Sequence, residues 1–242
     1  MKDGFIKVAS ASPVIKVADT EYNAQRVIET IKAADEKGVK LLVFPELVLT
    51  GCTCYDLTGH SVLLRGAKKA LLEVIAATVD VDMLVFVGLP IAIGSRLYSC
   101  AAAIYDGELL GLVPRENVRG TQFAEPTDAY TEVEIDADHI AVLSTDNIFT
   151  CAALPDLKAA AELGADIDAL VPPSVRHAQA GATVIAQLAS FPETVSSADE
   201  TELTLRAQSR RLHCGMILAA PGKGESTTDN VFSGLCMIAE NG

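Results

Sequence analysis

The first 50 residues alternate strand-like and helix-like segments, and this pattern constrains the fold more than any other feature. Residues 5–11 predict a strand, and apolar side chains at helical spacing predict a helix over residues 19–38, where Gly38 can end it. Residues 40–44 are an almost continuous apolar run that ends at Pro45, which is typical of a strand buried on both faces. Such a start predicts a sheet with helices packed on it.

The remainder of the chain continues this alternation. Apolar runs predict further strands, helical spacing predicts further helices, and the dipeptide Asp106-Gly107 predicts a hairpin turn. The predicted strands are residues 83–87, 97–105, 109–113, 139–143, 147–150, 169–171 and 215–219, the predicted helices are residues 63–78, 157–163 and 204–213, and the predicted loops are residues 115–131 and 190–201. Strands alternating with helices, with hairpins among them, indicate one layered α/β (α+β) domain spanning residues 1–242.

Composition excludes several classes of partner. A net charge of -13 argues against nucleic acid, because binding to phosphates needs a basic face. The start of the chain is too polar for a signal peptide, and no apolar run reaches the roughly 18 residues of a membrane span. We therefore expect a cytoplasmic protein without a membrane partner. Its six cysteines lack the spacing of a metal or redox motif, so we expect free thiols and no metal or cofactor.

Glu46 is the first candidate for chemistry. It follows an apolar strand and a proline, so it should lie at the carboxyl end of that strand, where open α/β sheets place their ligand sites. A partly desolvated carboxylate at that position could have a raised pKa and act as a general base. The structural alternative is a helix cap or a salt bridge.

Two strings carry a family resemblance. Residues 43–52, Val-Phe-Pro-Glu-Leu-Val-Leu-Thr-Gly-Cys, resemble the Phe-Pro-Glu-Leu and Thr-Gly-Tyr strings of nitrilase-like amidases (carbon-nitrogen hydrolases). Residues 222–229, Gly-Lys-Gly-Glu-Ser-Thr-Thr-Asp, are similar to the glutamine-hydrolysing domain of glutamine-dependent NAD synthetases. The resemblance implies a nitrilase-type αββα sandwich of two mixed sheets with outer helices. It also implies a homo-oligomer and a glutaminase that supplies ammonia to an NAD synthetase domain, and we expect that domain to be absent from this chain.

The same resemblance implies roles for two charged residues. In the family a glutamate is the general base, and a lysine after a strand and a proline stabilises the oxyanion. Glu46 matches the first of these, and Arg115 stands at the position of the lysine. Arginine keeps the positive charge and can still donate to an oxyanion, but its planar fork is larger than an ammonium. Gln122 stands where the family has a loop glutamate.

The nucleophile has two alternative positions. The family presents a cysteine after a strand, in strings such as Ile-Cys-Glu-Asp-Leu, because a thiolate attacks an amide carbonyl readily. Anchoring on Asp156-Leu157 places Leu154 at the nucleophile position, whereas anchoring on the strand end and the distance from Arg115 selects Cys151. Neither choice restores the acidic residue after the cysteine.

The sequence therefore predicts Glu46, Arg115 and Cys151 as the candidate catalytic residues of a glutaminase with a degraded catalytic triad. We expect its activity on glutamine to be absent or low. The alternative is a catalytically silent amidase-like domain with an assembly or regulatory role.

Overall fold

Two β-sheets lie face to face with helices on both outer sides in the computed structural model, which describes residues 4–126 and 130–242. The helices are α1 (Thr20–Asp35), α2 (Ser61–Ala76), α3 (Pro173–Gln179) and α4 (Ser197–Leu212), and two short 3-10 helices span Cys52–Gly59 and Gly164–Asp168. The strands are β1 (Val8–Ser10), β2 (Leu41–Val43), β3 (Leu84–Ile93), β4 (Arg96–Tyr105), β5 (Glu108–Pro114), β6 (Thr131–Glu134), β7 (Ile140–Leu143), β8 (Phe149–Cys151), β9 (Leu154–Leu163), β10 (Val184–Leu188), β11 (Gly215–Ala219) and β12 (Cys236–Ala239).

Both sheets mix parallel and antiparallel pairs. The first has the order β1-β2-β3-β4-β5-β7-β6, with β1, β2 and β3 parallel and with antiparallel hairpins from β3 to β5. The second has the order β12-β11-β10-β9-β8, with β9, β10 and β11 parallel and antiparallel strands at both edges. The carboxyl ends of β2 and β9 carry the turns from which the candidate site is built.

Three apolar clusters hold these elements together. Alternate residues of β2, β3, β9 and β10 face each other between the sheets, including Leu41, Phe86, Leu163 and Leu188. The outer face of the first sheet packs against α1 and α2, and that of the second packs against α3 and α4. The layers are therefore helix, sheet, sheet, helix, and the predicted αββα sandwich is confirmed.

Local sequence explains the elements that were predicted well. Asp19 caps α1 by accepting the backbone N–H of Tyr22 at 3.1 Å, and the apolar stripe of this helix is buried. All three residues of β2 are buried because the strand lies between two parallel neighbours and both of its faces are covered.

Some predicted elements of the second half were wrong. Residues 157–163, predicted as a helix, form the end of β9. Their alanines favour a helix in isolation, but alternate residues pack between the sheets, and this tertiary contact overrides the local preference. No strand forms at residues 169–171, whereas α3 and β10 were not predicted. Helix α4 also begins at Ser197, inside the predicted loop 190–201.

Candidate functional site

A buried ion pair forms the centre of the candidate site. Glu46 lies in the turn after β2 and is fully buried, and Arg115 follows the last residue of β5 and is 8% exposed. Arg115 Nη1 lies 3.3 Å from both carboxylate oxygens of Glu46. Ser99 of β4 donates its hydroxyl to Glu46 Oε1 at 2.5 Å. The two opposite charges therefore compensate each other away from water.

The remaining bonds of Arg115 fix its orientation. Its Nε donates to the backbone oxygen of Asn117 at 2.8 Å, and Nη1 is directed at Glu46. Within residues 4–126 and 130–242, the other terminal nitrogen, Nη2, donates to no protein atom. Because Arg115 lines a cavity, this nitrogen is the donor that remains for a bound molecule.

Two buried carboxyl groups support the turn after β9. Asp166 accepts the backbone N–H groups of Asn117 at 2.6 Å and of Leu163 at 3.0 Å, so it ties the segment after Arg115 to this turn. Burial raises the pKa of Asp166 to about 6, although the backbone N–H donors oppose the rise. Burial also raises the pKa of Glu162 to about 7, and its Oε2 accepts the backbone N–H of Ser174 at 3.0 Å.

Gly164, the first residue after β9, stands directly against the ion pair. Its φ of +51° lies in the left-handed region that favours glycine. A β-carbon at this position would lie 2.5 Å from Arg115 Cζ, from Arg115 Nη1 and from Glu46 Oε2. Gln187 Nε2 donates to the Gly164 carbonyl at 2.9 Å and holds the turn in place. The guanidinium therefore occupies the volume that a side chain at residue 164 would need.

A cavity of about 420 Å³ opens beside the ion pair. This volume falls within the range of small-molecule sites. Its walls come mainly from the loops that follow β2, β5 and β10 and from the C-terminal segment before β12. They consist of Glu46, Leu47, Cys52, Thr53, Tyr55, Arg115, Gly120, Thr121, Phe123, Ala165, Ser190, Phe191, Pro192, Asn230 and Phe232.

Cys52 supplies a thiol to the same cavity, but its surroundings disfavour the thiolate. Its Sγ donates to the backbone oxygen of Glu46 at 3.0 Å. Burial raises the pKa of this thiol well above its ordinary value, and the carboxylates of Glu225 and Glu46 raise it further. Because the thiolate is the nucleophilic form, Cys52 is a poor nucleophile at neutral pH.

The sequence of the chain matches the model of the carbon-nitrogen hydrolase family over residues 7–241. The chain belongs to the carbon-nitrogen hydrolase family. Curated relatives include the glutamine-dependent NAD(+) synthetase of Mycobacterium bovis, which is 34% identical over 246 residues and matches 99% of this chain. The synthetase of the same name from Thermotoga maritima is 34% identical over 112 residues, which cover 46% of this chain and 19% of that protein. The chain spans only 36% of the length of the Mycobacterium relative.

Solved structures agree with this carbon-nitrogen hydrolase fold. A glutamine-dependent NAD(+) synthetase from Cytophaga hutchinsonii superposes with a TM-score of 0.86 at 21% identity, covering 98% of this chain and 39% of that one. An amidase of the nitrilase superfamily from Nesterenkonia has a TM-score of 0.73 at 14% identity, covering 98% and 83% of the two chains. That amidase has an active-site cysteine. The predicted resemblance to the glutamine-hydrolysing domain of NAD synthetases is confirmed.

In this member of the carbon-nitrogen hydrolase family, the structure brings together Glu46 and Arg115 but not Cys151. Cys151 pairs with Leu154 in the hairpin that opens β9, so both candidate nucleophile positions lie at the start of that strand. Gly164 follows its other end, about 30 Å away along an extended strand. Cys151 and Leu154 precede Gly164 by 13 and 10 residues, and Cys151 is not among the residues that line the cavity.

A sequence signal for Gly164 was present. Leu163-Gly164-Ala165-Asp166 shares with the family string Ile-Cys-Glu-Asp its place at the end of a strand and its final aspartate. The signal was missed because residues 157–163 were predicted as a helix, which made Gly164 a helix terminator. Gly164 thus lies against Glu46 and Arg115 and carries no side chain.

The C-terminal glycine-rich motif supports the loop that follows Glu46. Glu225 is buried, and its carboxylate accepts the backbone N–H of Cys52 at 2.9 Å and the hydroxyl of Thr53 at 3.0 Å. Gly224 has a φ of +107°, and a β-carbon there would lie 1.9 Å from the Ile15 carbonyl oxygen. The motif therefore serves as a scaffold contact within the chain.

The loop glutamine, Gln122, lies between two lining residues, Thr121 and Phe123, but is not part of the cavity wall. Gln122 Nε2 donates to the backbone oxygen of Tyr55 at 2.8 Å and so connects the loop after β5 to the loop after β2.

No described helix is long and apolar enough to cross a membrane. Within the same described residues, no group of three or more His, Cys, Asp or Glu side chains is arranged to hold a metal ion.

Proposed function

We propose that this chain is a glutaminase-like domain that has lost hydrolysis of glutamine and acts as an assembly or regulatory domain. One observation carries the proposal: the position that faces Glu46 and Arg115 is Gly164, which has no nucleophilic atom. The fused architecture of the relatives named NAD(+) synthetase suggests the partner, an NAD synthetase domain.

Amide hydrolysis in this family needs three groups that act together. A thiolate attacks the amide carbonyl, a carboxylate takes up and returns the proton, and a cation stabilises the oxyanion. Glu46 and Arg115 occupy the positions of the base and the cation, and they are bonded to each other. Because the contributions of such groups to the rate are not additive, loss of the nucleophile alone lowers the rate by a factor on the order of a thousand or more.

The first prediction concerns turnover of glutamine. We expect release of glutamate by the purified chain to equal that of a Glu46→Gln variant, because Gly164 offers no nucleophilic atom and burial disfavours the thiolate of Cys52. The measurement is enzyme-coupled detection of glutamate, with a Cys151→Ala variant in parallel. Turnover above the Glu46→Gln background would refute the proposal, and its loss in Cys151→Ala would identify Cys151 as the nucleophile.

The second prediction concerns assembly and location. We propose that the chain is cytoplasmic and forms at least a dimer, as the resemblance implies. Exposed apolar side chains next to α3, including Leu170 and Val171, provide surface that association could cover. Light-scattering chromatography at micromolar concentration should give at least twice the mass of the chain, and a monomeric mass would contradict this expectation.

A further inference from the structure

We infer that the cavity beside Glu46 and Arg115 binds a planar aromatic carboxamide rather than a free amino acid. The inference rests on the proposed function, because a site without a reactive thiolate can hold such a molecule without cleaving it. Charge, wall composition and the remaining hydrogen-bond donor each support it.

The charges of the cavity do not suit a zwitterion. Among the described residues that line it, Glu46 and Arg115 carry the formal charges, and these two are bonded to each other. A free amino acid such as glutamine brings an ammonium and a carboxylate, and each would need its own opposite charge when removed from water. The other lining residues are neutral, so an uncharged ligand fits them better.

The walls are rich in aromatic rings. Four of the seven Phe and five Tyr side chains of the chain line this one cavity: Phe123, Phe191, Phe232 and Tyr55. Aromatic side chains contribute large contact areas and prefer offset stacking or edge contacts with other rings. A flat ring is therefore the ligand body that these walls would contact best.

The hydrogen bonds of Glu46 and Arg115 determine which polar group the ligand should carry. Both oxygens of Glu46 already accept hydrogen bonds, whereas Arg115 Nη2 has no acceptor among the described residues. The ligand should therefore present a carbonyl oxygen to Arg115. A carboxylate would meet the same nitrogen but would lie beside the Glu46 carboxylate, and the repulsion between them favours the neutral amide.

The backbone conformation of Tyr55, which lines the cavity, supports the inference independently. Its φ of +46° with ψ of -123° is a strained conformation for a residue with a side chain. Gln122 Nε2 bonds its carbonyl, and its hydroxyl lies 3.3 Å from Thr227 Oγ1, so the neighbouring loops hold it there. Strain of this kind occurs at ligand clamps, where the surroundings compensate for its cost.

Calorimetric titration of the full chain with benzamide, benzoate and glutamine tests the inference. We expect saturable binding of benzamide, at least tenfold weaker binding of benzoate, and no saturation with glutamine. Phe123→Ala should weaken benzamide binding about tenfold through the loss of one ring contact. Phe5→Ala, a change of the same size at a side chain that is 77% exposed and outside the cavity, should leave it unchanged.

If circular dichroism shows that Phe123→Ala is unfolded, a second variant is used in its place. Ser190→Trp should place a large ring in the cavity and weaken benzamide binding at least tenfold. Glutamine binding as tight as that of benzamide, or no benzamide binding to the unmodified chain, would overturn the inference. Neither result bears on hydrolysis, which is read separately as release of glutamate, so the two proposals fail independently.

Discussion

Replacing Gly88 by alanine is expected to destabilise the protein by about 3 kcal/mol or more and to displace Glu46. A β-carbon at Gly88 of β3 would lie 2.4 Å from Leu47 N, 2.5 Å from the Pro45 carbonyl oxygen and 2.8 Å from Glu46 Cα. All three are backbone atoms, so no side-chain rotation relieves the contact. The turn that carries Glu46 must move away from β3, and the bond from Ser99 to its carboxylate is then lost.

Urea unfolding followed by circular dichroism measures this effect. The matched control is Gly215→Ala, since Gly215 also lies in a strand but a β-carbon there meets nothing closer than 3.8 Å. We expect the control to change the free energy of unfolding by less than about 1 kcal/mol. Equal stability of the two variants would show that the turn carrying Glu46 can move away from β3 at little cost in free energy.

The sequence predicted the first half of the fold well because its signals there are local. The apolar run at residues 40–44, the cap at Asp19 and the hairpin at Asp106-Gly107 each depend on neighbours in the chain. The positions of Glu46 and Arg115 follow from the ends of two strands in one sheet. Their proximity was therefore predictable from a family resemblance combined with strand ends.

The second half depended on contacts between distant segments. Residues 157–163 have the composition of a helix, and they form a strand only because the other sheet covers alternate side chains. When residues 157–163 are predicted as a helix, Gly164 is predicted to end that helix, and the sequence then favours Cys151 as the nucleophile. Asp166 keeps the final residue of the family string, but only the geometry around Gly164 shows that a glycine faces Glu46 and Arg115.

Replacing Glu46 by alanine is the second change with a large expected effect. It would leave the buried Arg115 without its compensating carboxylate and the Ser99 hydroxyl without its acceptor. Removing one partner of a buried pair costs about 3–5 kcal/mol, mainly because the other charge stays desolvated. We therefore expect Glu46→Ala to lower the free energy of unfolding by about that amount, as measured by urea titration.

Two variants separate this charge effect from a simple loss of packing. Glu202→Ala breaks the exposed pair with Arg206, whose atoms lie 3.2 Å apart, and should cost less than about 1 kcal/mol. The double variant Glu46→Ala with Arg115→Met removes both charges, so it should be more stable than Glu46→Ala alone, because no uncompensated cation remains. If the double variant were instead the less stable of the two, Arg115 would be stabilised by groups other than Glu46. The ion pair would then not be what holds the guanidinium in the space beside Gly164.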